Sequence, residues 1–166
     1  MLHNAHEKTD GMMKMLMVSL AGDMFAIDIT DVSDVMARVP KTDIPMALPV
    51  IDGVMNLRGQ IVTEINMARV MNMPVADSFD DQVAGYAVVL TRGGEHYSLA
   101  FDRVYGVVDI AENSLENIPE TINPAWRPMT HYMCRYKNDL VTLIDLQGLF
   151  DTLTAEVENA LSRLSA

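Results

Sequence analysis

The two halves of this chain repeat one another, and the repeat limits the folds that the sequence can adopt. Three blocks of the first half match three blocks of the second half in the same order, with similar apolar residues at the matched positions. The offset grows from block to block, as it would if loops of different length joined equivalent strands. We therefore predict two related small β units in one chain. The matched blocks are residues 25–36 with 97–108, 44–45 with 118–119, and 61–71 with 140–150.

Within each half, apolar and polar residues mostly alternate, which is the period of a β-strand. Residues 14–20 and 24–29 flank a short turn that contains Gly22. Residues 86–91 and 96–101 flank a turn with two adjacent glycines. Since glycine adopts the backbone angles that tight turns need, both pairs predict a β-hairpin at the start of a unit. The predicted fold class is mainly β.

A third hairpin is predicted over residues 50–62, VIDGVMNLRGQIV, and its turn carries a single arginine. Two apolar runs surround the polar residues Asn56, Arg58 and Gly59, as expected at a strand reversal. Arg58 therefore lies near the end of a rigid element, where its planar guanidinium can bind a carboxylate or backbone carbonyls of a partner. The alternative is an arginine that is simply surrounded by water.

The C-terminal segment changes from the strand period to the helical period. Apolar residues recur there every three or four positions, and polar residues are available for the opposite face. We predict an amphipathic helix that covers a barrel end or the seam between the two units, and a partner-binding helix is the alternative. The apolar stripe consists of Leu146, Leu149, Phe150, Leu153, Val157, Leu161 and Leu164.

Composition argues against several classes of partner. The formal net charge of −11 is unfavourable for nucleic acid, whose phosphates need clustered Lys and Arg, and for an anionic lipid surface. No apolar run approaches the ~20 residues of a membrane span, so direct membrane insertion is not expected. The single cysteine, Cys134, cannot form an internal disulfide, which makes a reducing cytoplasm the simplest compartment.

Sequence signatures of catalysis and of metal binding are missing. The chain contains no HExxH, CxxC, phosphate-binding glycine loop or GxSxG motif. Asp28, Asp31 and Asp34 form a spaced acidic set, but the glycine and terminal glutamate of a calcium loop are lacking, so a solvated face is the simpler interpretation. We expect no enzyme activity, no cofactor and no metal site.

Residues 51–59, IDGVMNLRG, lead into an apolar strand and then into an N-M-x-R turn at residues 66–69. This order resembles CheW, the adaptor family of bacterial chemotaxis, which has a glycine, an apolar stretch, N-L-R-G, and a strand that runs into an aspartate-leucine turn. The resemblance covers residues 14–153. It includes FAIDI at 25–29, SLAFDRVYGVV at 98–108 and LVTLIDLQGLF at 140–150.

The resemblance implies two intertwined five-stranded SH3-like β-barrels with a hydrophobic seam between them, followed here by the C-terminal helix. It divides the chain into a flexible N-terminal tail (1–13), a CheW-like domain of two barrel subdomains (14–153) and a helical extension (154–166). It also implies a non-enzymatic adaptor that couples the cytoplasmic tips of chemoreceptors to the regulatory domain of the histidine kinase CheA. Such an adaptor is expected in the cytoplasm, at membrane-associated receptor arrays.

The resemblance also suggests where partners bind. Arg58 matches the arginine that the family uses at the receptor contact, and Asn56 and Gly59 lie beside it. Val35, Met36 and Arg38 correspond to a stretch that is also associated with receptor binding. Five methionines in or beside the key segment could line a groove for a coiled-coil tip, or they could fill an irregular core. They are Met46, Met55, Met67, Met71 and Met73. No residues are assigned to the kinase contact.

Three positions near this segment depart from the family pattern and suggest an altered specificity. The family often has proline and then an apolar residue where this chain has Thr63 and Glu64, and Asn66 replaces the family aspartate. The internal repeat has a leucine at the position that matches Glu64. Since a lone carboxylate is unstable in an apolar seam at pH 7, we expect Glu64 to point to solvent or to pair with a cation such as Arg58 or Arg69.

Two other functions stay open. A divergent CheW-like protein would occupy or organise arrays, or serve a different pathway such as surface motility, without standard kinase coupling. A small-ligand-binding β-barrel would use the cleft between the barrels, where aromatic and basic residues would be expected. The single tryptophan, Trp126, in a proline-rich segment, and the acidic balance of the chain disfavour this second function.

Overall fold

Eleven β-strands and two α-helices make up most of the computed structural model, which describes residues 11–45, 48–74 and 85–164. The strands are β1 (Met12–Leu20), β2 (Asp23–Asp28), β3 (Asp34–Ala37), β4 (Ile51–Leu57), β5 (Gln60–Ile65), β6 (Tyr86–Arg92), β7 (Glu95–Phe101), β8 (Arg103–Ala111), β9 (Glu116–Asn117), β10 (Thr130–Tyr136) and β11 (Asp139–Ile144). The helices are α1 (Met67–Val70) and α2 (Leu146–Leu164).

The predicted hairpins are confirmed. Strand β1 pairs antiparallel with β2, β6 with β7, and β4 with β5. A fourth hairpin joins β10 to β11. Gly22 has φ +86° in the first of these turns, a backbone conformation that glycine adopts without steric cost.

Each sheet takes strands from both halves of the chain. The first sheet, called barrel A, has the order β8-β1-β2-β11-β10-β9, and the second, called barrel B, has the order β3-β6-β7-β5-β4. The two halves meet through two parallel pairs, β2 with β11 and β5 with β7, and through two antiparallel pairs, β1 with β8 and β3 with β6. This exchange confirms the intertwined arrangement of SH3-like barrels. Barrel A has six strands rather than the expected five, because the two-residue β9 pairs with the outer edge of β10.

A shared apolar core fills the seam between the two sheets. Phe25 and Ile27 of barrel A, Leu99 and Phe101 of barrel B, and Leu149 of α2 all belong to this core and are almost completely buried. A second, smaller core lies on the other face of barrel A, because strand residues alternate between faces. Its members are Met15, Met17, Ala26, Ile110, Cys134, Val141 and Leu143.

Helix α2 begins where the repeat predicts a helical turn. The side chain of Asp145 accepts a hydrogen bond from the Gln147 backbone N–H at 3.0 Å, which satisfies a donor at the helix start. The first turns bury Leu149 and Leu153 against the body, whereas Leu164 at the end is exposed. The predicted helix is confirmed, and it runs without a break across residues 153 and 154. Among the described residues, no helix is long and apolar enough to cross a membrane.

The N-terminal strand begins before the expected start of the folded domain. Met12 and Met13 pair with Ala111 and Ile110 of β8, so they belong to the sheet although the sequence suggested a loose tail over residues 1–13. The remaining part of that segment, residues 1–10, lies outside the described residues.

Gly148 provides a test of how closely α2 packs against the preceding segment. A Cβ atom at this position would lie 2.0 Å from the Pro128 carbonyl oxygen. Glycine to alanine usually stabilises a helix by about 1 kcal/mol. Here we expect Gly148→Ala to destabilise the protein by roughly 1–3 kcal/mol in urea denaturation, because the backbone at Pro128 or in α2 must move to make room for the added methyl group. Asn159→Ala, on the exposed part of the same helix, is the control and should not destabilise. Stabilisation by both changes would contradict the close contact.

Candidate functional site

The turn between β4 and β5 displays an arginine at the end of barrel B. Arg58 and Gly59 occupy the two turn positions between the paired residues Leu57 and Gln60, with φ values of +53° and +82°. Positive φ at both positions matches the right-handed twist of a tight two-residue hairpin. The Asn56 side-chain oxygen accepts a hydrogen bond from the Gly59 N–H at 3.0 Å. The predicted residues therefore form one ordered turn, and 79% of the Arg58 side chain is exposed.

Arg58 also contacts β3, the strand at the opposite edge of the same sheet. Its Nη1 atom lies 3.1 Å from Oδ2 of Asp34, and the Asp34 side chain is one-third exposed. A contact between the two edge strands is possible because the sheet curls towards closure. Further from the turn, Thr42 forms two backbone hydrogen bonds with Val54 of β4, at 2.8 and 2.9 Å. The structure thus brings the two stretches that the sequence proposed for receptor binding next to each other.

The β3 stretch divides between two faces of the strand. Val35 packs against the core in the seam. Met36 and Arg38 alternate with it and lie with Asp34 on the other face. Side chains on these two faces cannot form one continuous surface within β3 itself. The arginine at its end, moreover, is directed to the interior of barrel B.

Glu64 is completely buried, and its partner is Arg38. The Arg38 guanidinium donates through Nη2 to Oε1 and through Nε to Oε2, the latter at 3.3 Å. The expectation that Glu64 would pair with a cation is therefore confirmed, but the cation is Arg38 and neither Arg58 nor Arg69, and the solvent-facing alternative is wrong. Arg58 is held at the barrel tip by Asp34, and Arg69 donates to the Pro49 carbonyl at 3.0 Å.

Further charged groups complete a network around this ion pair. Lys41 Nζ lies 3.4 Å from Asp52 Oδ2 and 3.9 Å from Glu64 Oε1. Asp52 also accepts a hydrogen bond from Asn66 Nδ2 at 3.1 Å. The two cations of the network balance its two carboxylates, as burial requires. Asn66 can donate to Asp52, whereas an aspartate there would repel it, so two of the family departures belong to one network.

The third departure, Thr63, lies apart from the network. It faces the opposite side of β5 from Glu64, pairs with Val54, and is half-buried. Nothing in its surroundings explains the absence of the family proline.

The internal repeat places an apolar pair where barrel B has the buried ion pair. At the same offsets as the matched blocks, Arg38 corresponds to Ile110 and Glu64 to Leu143. Both counterparts belong to the core of barrel A. The repeat alone does not pair Arg38 with Glu64, because Arg38 lies two residues beyond the first matched block and its meeting with Glu64 depends on the fold of barrel B.

Ile61 is an exposed apolar residue that the sequence interpretation did not single out. It follows the Arg58 turn by three positions, pairs with Asn56 and is 70% exposed. Its repeat counterpart, Leu140, is also exposed. Because isolated apolar side chains are common on surfaces, only its position beside Arg58 makes it notable.

The methionines of the key segment fill the core and do not line a groove. Met55, Met67, Met71 and Met73 are all buried. Met46 lies outside the described residues. The core interpretation of these four residues is therefore correct.

Cys134 is buried in β10, as its strand-like surroundings predicted. Burial raises the pKa of its thiol, and the nearby Glu116 carboxylate raises it further. A thiol of this kind is a poor nucleophile at neutral pH.

The structure offers little support for a ligand cavity at the seam. A pocket of about 180 Å³ beside α2 is lined by Leu90, Arg92, Leu146 and Phe150 among others. Ligand sites usually enclose about 300–1,000 Å³. A larger pocket, of about 340 Å³, lies on barrel A among Met17, Met24, Tyr105 and Tyr136, and it is open to solvent.

The ion pair can be tested through the apolar pair of the other barrel. Glu64→Leu alone leaves the Arg38 charge without its carboxylate, and we expect a loss of about 3 kcal/mol in the free energy of unfolding. The double change Arg38→Ile and Glu64→Leu gives barrel B the apolar residues that barrel A has at these positions, Ile110 and Leu143, and should recover stability to within about 1 kcal/mol of the unchanged protein. Chemical denaturation of the three proteins measures both values. Equal stability of the single variant and the unchanged protein would show that the charges are not paired inside the barrel.

Known proteins with similar sequences and structures agree with this architecture. The CheW-like domain profile matches residues 14–154. The chemotaxis protein CheW of Thermotoga maritima is 24% identical over 131 residues, covering 79% of this chain and 83% of the relative. That of Bacillus subtilis is 23% identical over 138 residues, covering 83% and 86%.

A solved structure with the same fold is the scaffolding protein TtCheW from Thermoanaerobacter tengcongensis. It shares 27% sequence identity and superposes with a TM-score of 0.71, covering 83% of this chain and 92% of that protein. The profile match extends from β1 to the second turn of α2 and so includes both barrels and the charged network. The chain belongs to the CheW-like domain family.

Proposed function

We propose that this protein binds the cytoplasmic tip of a chemoreceptor through the end of barrel B and couples it to the regulatory domain of a CheA-type histidine kinase. The observation that carries the proposal is the Arg58–Asp34 contact, which joins the two stretches that the sequence associated with receptor binding. As a member of the CheW-like family, the chain is a non-enzymatic adaptor of bacterial chemotaxis.

The end of barrel B has the chemistry of an adaptor contact. Arg58 presents a guanidinium with donors left over beyond its contact with Asp34, because five N–H groups are available on one arginine. Ile61 adds exposed apolar surface beside it. An apolar centre with a charged rim is the usual composition of protein–protein interfaces, and arginine is enriched among their strongest contacts.

The receptor contact that we propose uses Asn56, Arg58 and Gly59 from the turn, and Met36 from β3, on the same face as Asp34. Val35 packs against the core in the seam and is left out of this surface. Arg38 supports this surface from inside the barrel, since its guanidinium is engaged by Glu64. The cellular location that goes with this function is the cytoplasm, at receptor arrays near the membrane. Because Glu64 and Asn66 alter the interior behind the contact, we propose that this adaptor serves its own set of receptors.

Replacement of Arg58 tests the receptor contact. We expect Arg58→Ala to weaken binding to a soluble fragment of the cognate receptor tip by ~1–3 kcal/mol, measured by calorimetry, because a charge-assisted contact is lost. The melting temperature should stay nearly unchanged, since exposed ion pairs contribute only about 0–1 kcal/mol to folding.

The matched control is Lys137→Ala, which removes the cation at the equivalent position of the turn between β10 and β11. We expect this variant to bind the receptor fragment like the unchanged protein. If both variants bind normally, the end of barrel B is not the receptor contact. A large loss of melting temperature in Arg58→Ala alone would instead identify Arg58 as a structural residue.

A further inference from the structure

We propose that Glu64 is a positioning residue for the Arg58 contact. By binding Arg38 inside barrel B, it fixes β3, whose Asp34 in turn holds Arg58. This inference rests on the proposed function of Arg58. It gives a role to Glu64, a buried carboxylate that cannot itself touch a receptor.

Strand β3 needs such an anchor because its backbone pairs with one neighbour. It has four residues and pairs along its length with β6. On the side towards β4 and β5, side-chain ion pairs at its two ends make the connection within the described part of the chain. Asp34 reaches Arg58 at one end, and Arg38 reaches Glu64 at the other.

These two ion pairs differ greatly in burial. The Arg58 side chain is 79% exposed, so solvent competes with its contact to Asp34. The Glu64 side chain is 0% exposed and binds Arg38 through both of its oxygens. Two parallel N–H···O contacts also fix the direction of the guanidinium. The buried pair is therefore the anchor, and the position of the exposed pair depends on it.

Backbone hydrogen bonds connect the segment after β3 to Gly85 and to β4. The Arg38 backbone N–H donates to the Gly85 carbonyl at 3.1 Å, and Thr42 pairs with Val54. The crossing is tight, because a Cβ atom at Gly53 would lie 2.5 Å from the Thr42 carbonyl oxygen. These backbone contacts restrict residues 38–42, and the Glu64 carboxylate fixes the direction of the Arg38 side chain at the start of this segment. Without that carboxylate, the Arg38 guanidinium keeps its longer contact with Asp52, at 3.9 Å, and we infer that the end of β3 is then held less firmly.

Barrel A shows that folding alone does not need a charged pair. Ile110 and Leu143 occupy the equivalent positions there and are buried in its core. At the tip of barrel A, Lys137 lies 5.5 Å from the centre of the Tyr136 ring, and the position that matches Asp34 is Gly106. In barrel B, by contrast, Asp34 of β3 binds the cation of the turn, Arg58, and the same barrel contains the buried Arg38–Glu64 pair.

The double variant Arg38→Ile with Glu64→Leu separates positioning from stability. We expect it to fold with a melting temperature close to that of the unchanged protein, but to bind the receptor-tip fragment at least about fivefold more weakly, because the contact is less preorganised. Amide hydrogen exchange of residues 34–38, followed by NMR, should be at least about fivefold faster. A merely structural role would change stability and binding together.

The control is the volume-conserving exchange Ile110→Leu with Leu143→Ile at the matched position of barrel A, which should leave both readouts unchanged. If the folded double variant binds with unchanged affinity, or if hydrogen exchange in β3 is unchanged, the positioning role is overturned. The hydrogen-exchange readout does not depend on any receptor. Failure of the unchanged protein to bind the fragment would contradict the proposed function instead.

Discussion

Strand pairings between the two halves of the chain hold this molecule together: β2 with β11 and β5 with β7 in parallel, and β1 with β8 and β3 with β6 antiparallel. Each pairing joins a strand of one half of the chain to a strand of the other half. Neither barrel can therefore be completed by one half alone. The same exchange places Phe25 and Phe101 from opposite halves in one core, which α2 closes with Leu149. The intertwining creates a rigid seam, and the barrel ends project from it.

The two barrels differ in what fills their interiors: barrel A has an apolar core, and barrel B contains the Arg38–Glu64 ion pair. Barrel A holds Met15 and Ala26 beside its apolar pair, Ile110 and Leu143. At the matched positions barrel B has Ala87 and Ser98, and Ser98 is the residue in register with Glu64. Both residues are smaller or more polar than their counterparts, and both are completely buried. The two related units thus have different chemistry at matched positions.

The sequence was sufficient to predict much of this architecture. Period-two runs around glycine-containing turns predicted the hairpins, and the repeat predicted the equivalence of the halves, because both depend on local pattern. The exchange of strands between barrels does not follow from local pattern, since β2 pairs equally well in principle with β5 or β11. The prediction of intertwined barrels rests on the family resemblance. The two-residue β9 is too short to leave a periodic signal.

The sequence predicts that Glu64 needs a cation, but it does not identify which one. Arg58 and Arg69 are near Glu64 in sequence, whereas Arg38 is brought to Glu64 by the curl of barrel B. A buried carboxylate selects the cation that can reach it inside the barrel, and that choice depends on which face of β3 points inward. The repeat matches these two positions to Ile110 and Leu143, but only the structure shows that both belong to the core of barrel A.

Kinase autophosphorylation in a reconstituted mixture tests the central claim, that this chain is an adaptor between receptors and a kinase. Cognate receptor fragments and the CheA-type kinase are combined with and without the protein, and phosphorylation of the kinase is followed over time. The account predicts stimulation that requires receptor, kinase and this protein together. It is contradicted if the protein neither stimulates the kinase nor competes with another adaptor, and if pull-downs with the protein recover no kinase.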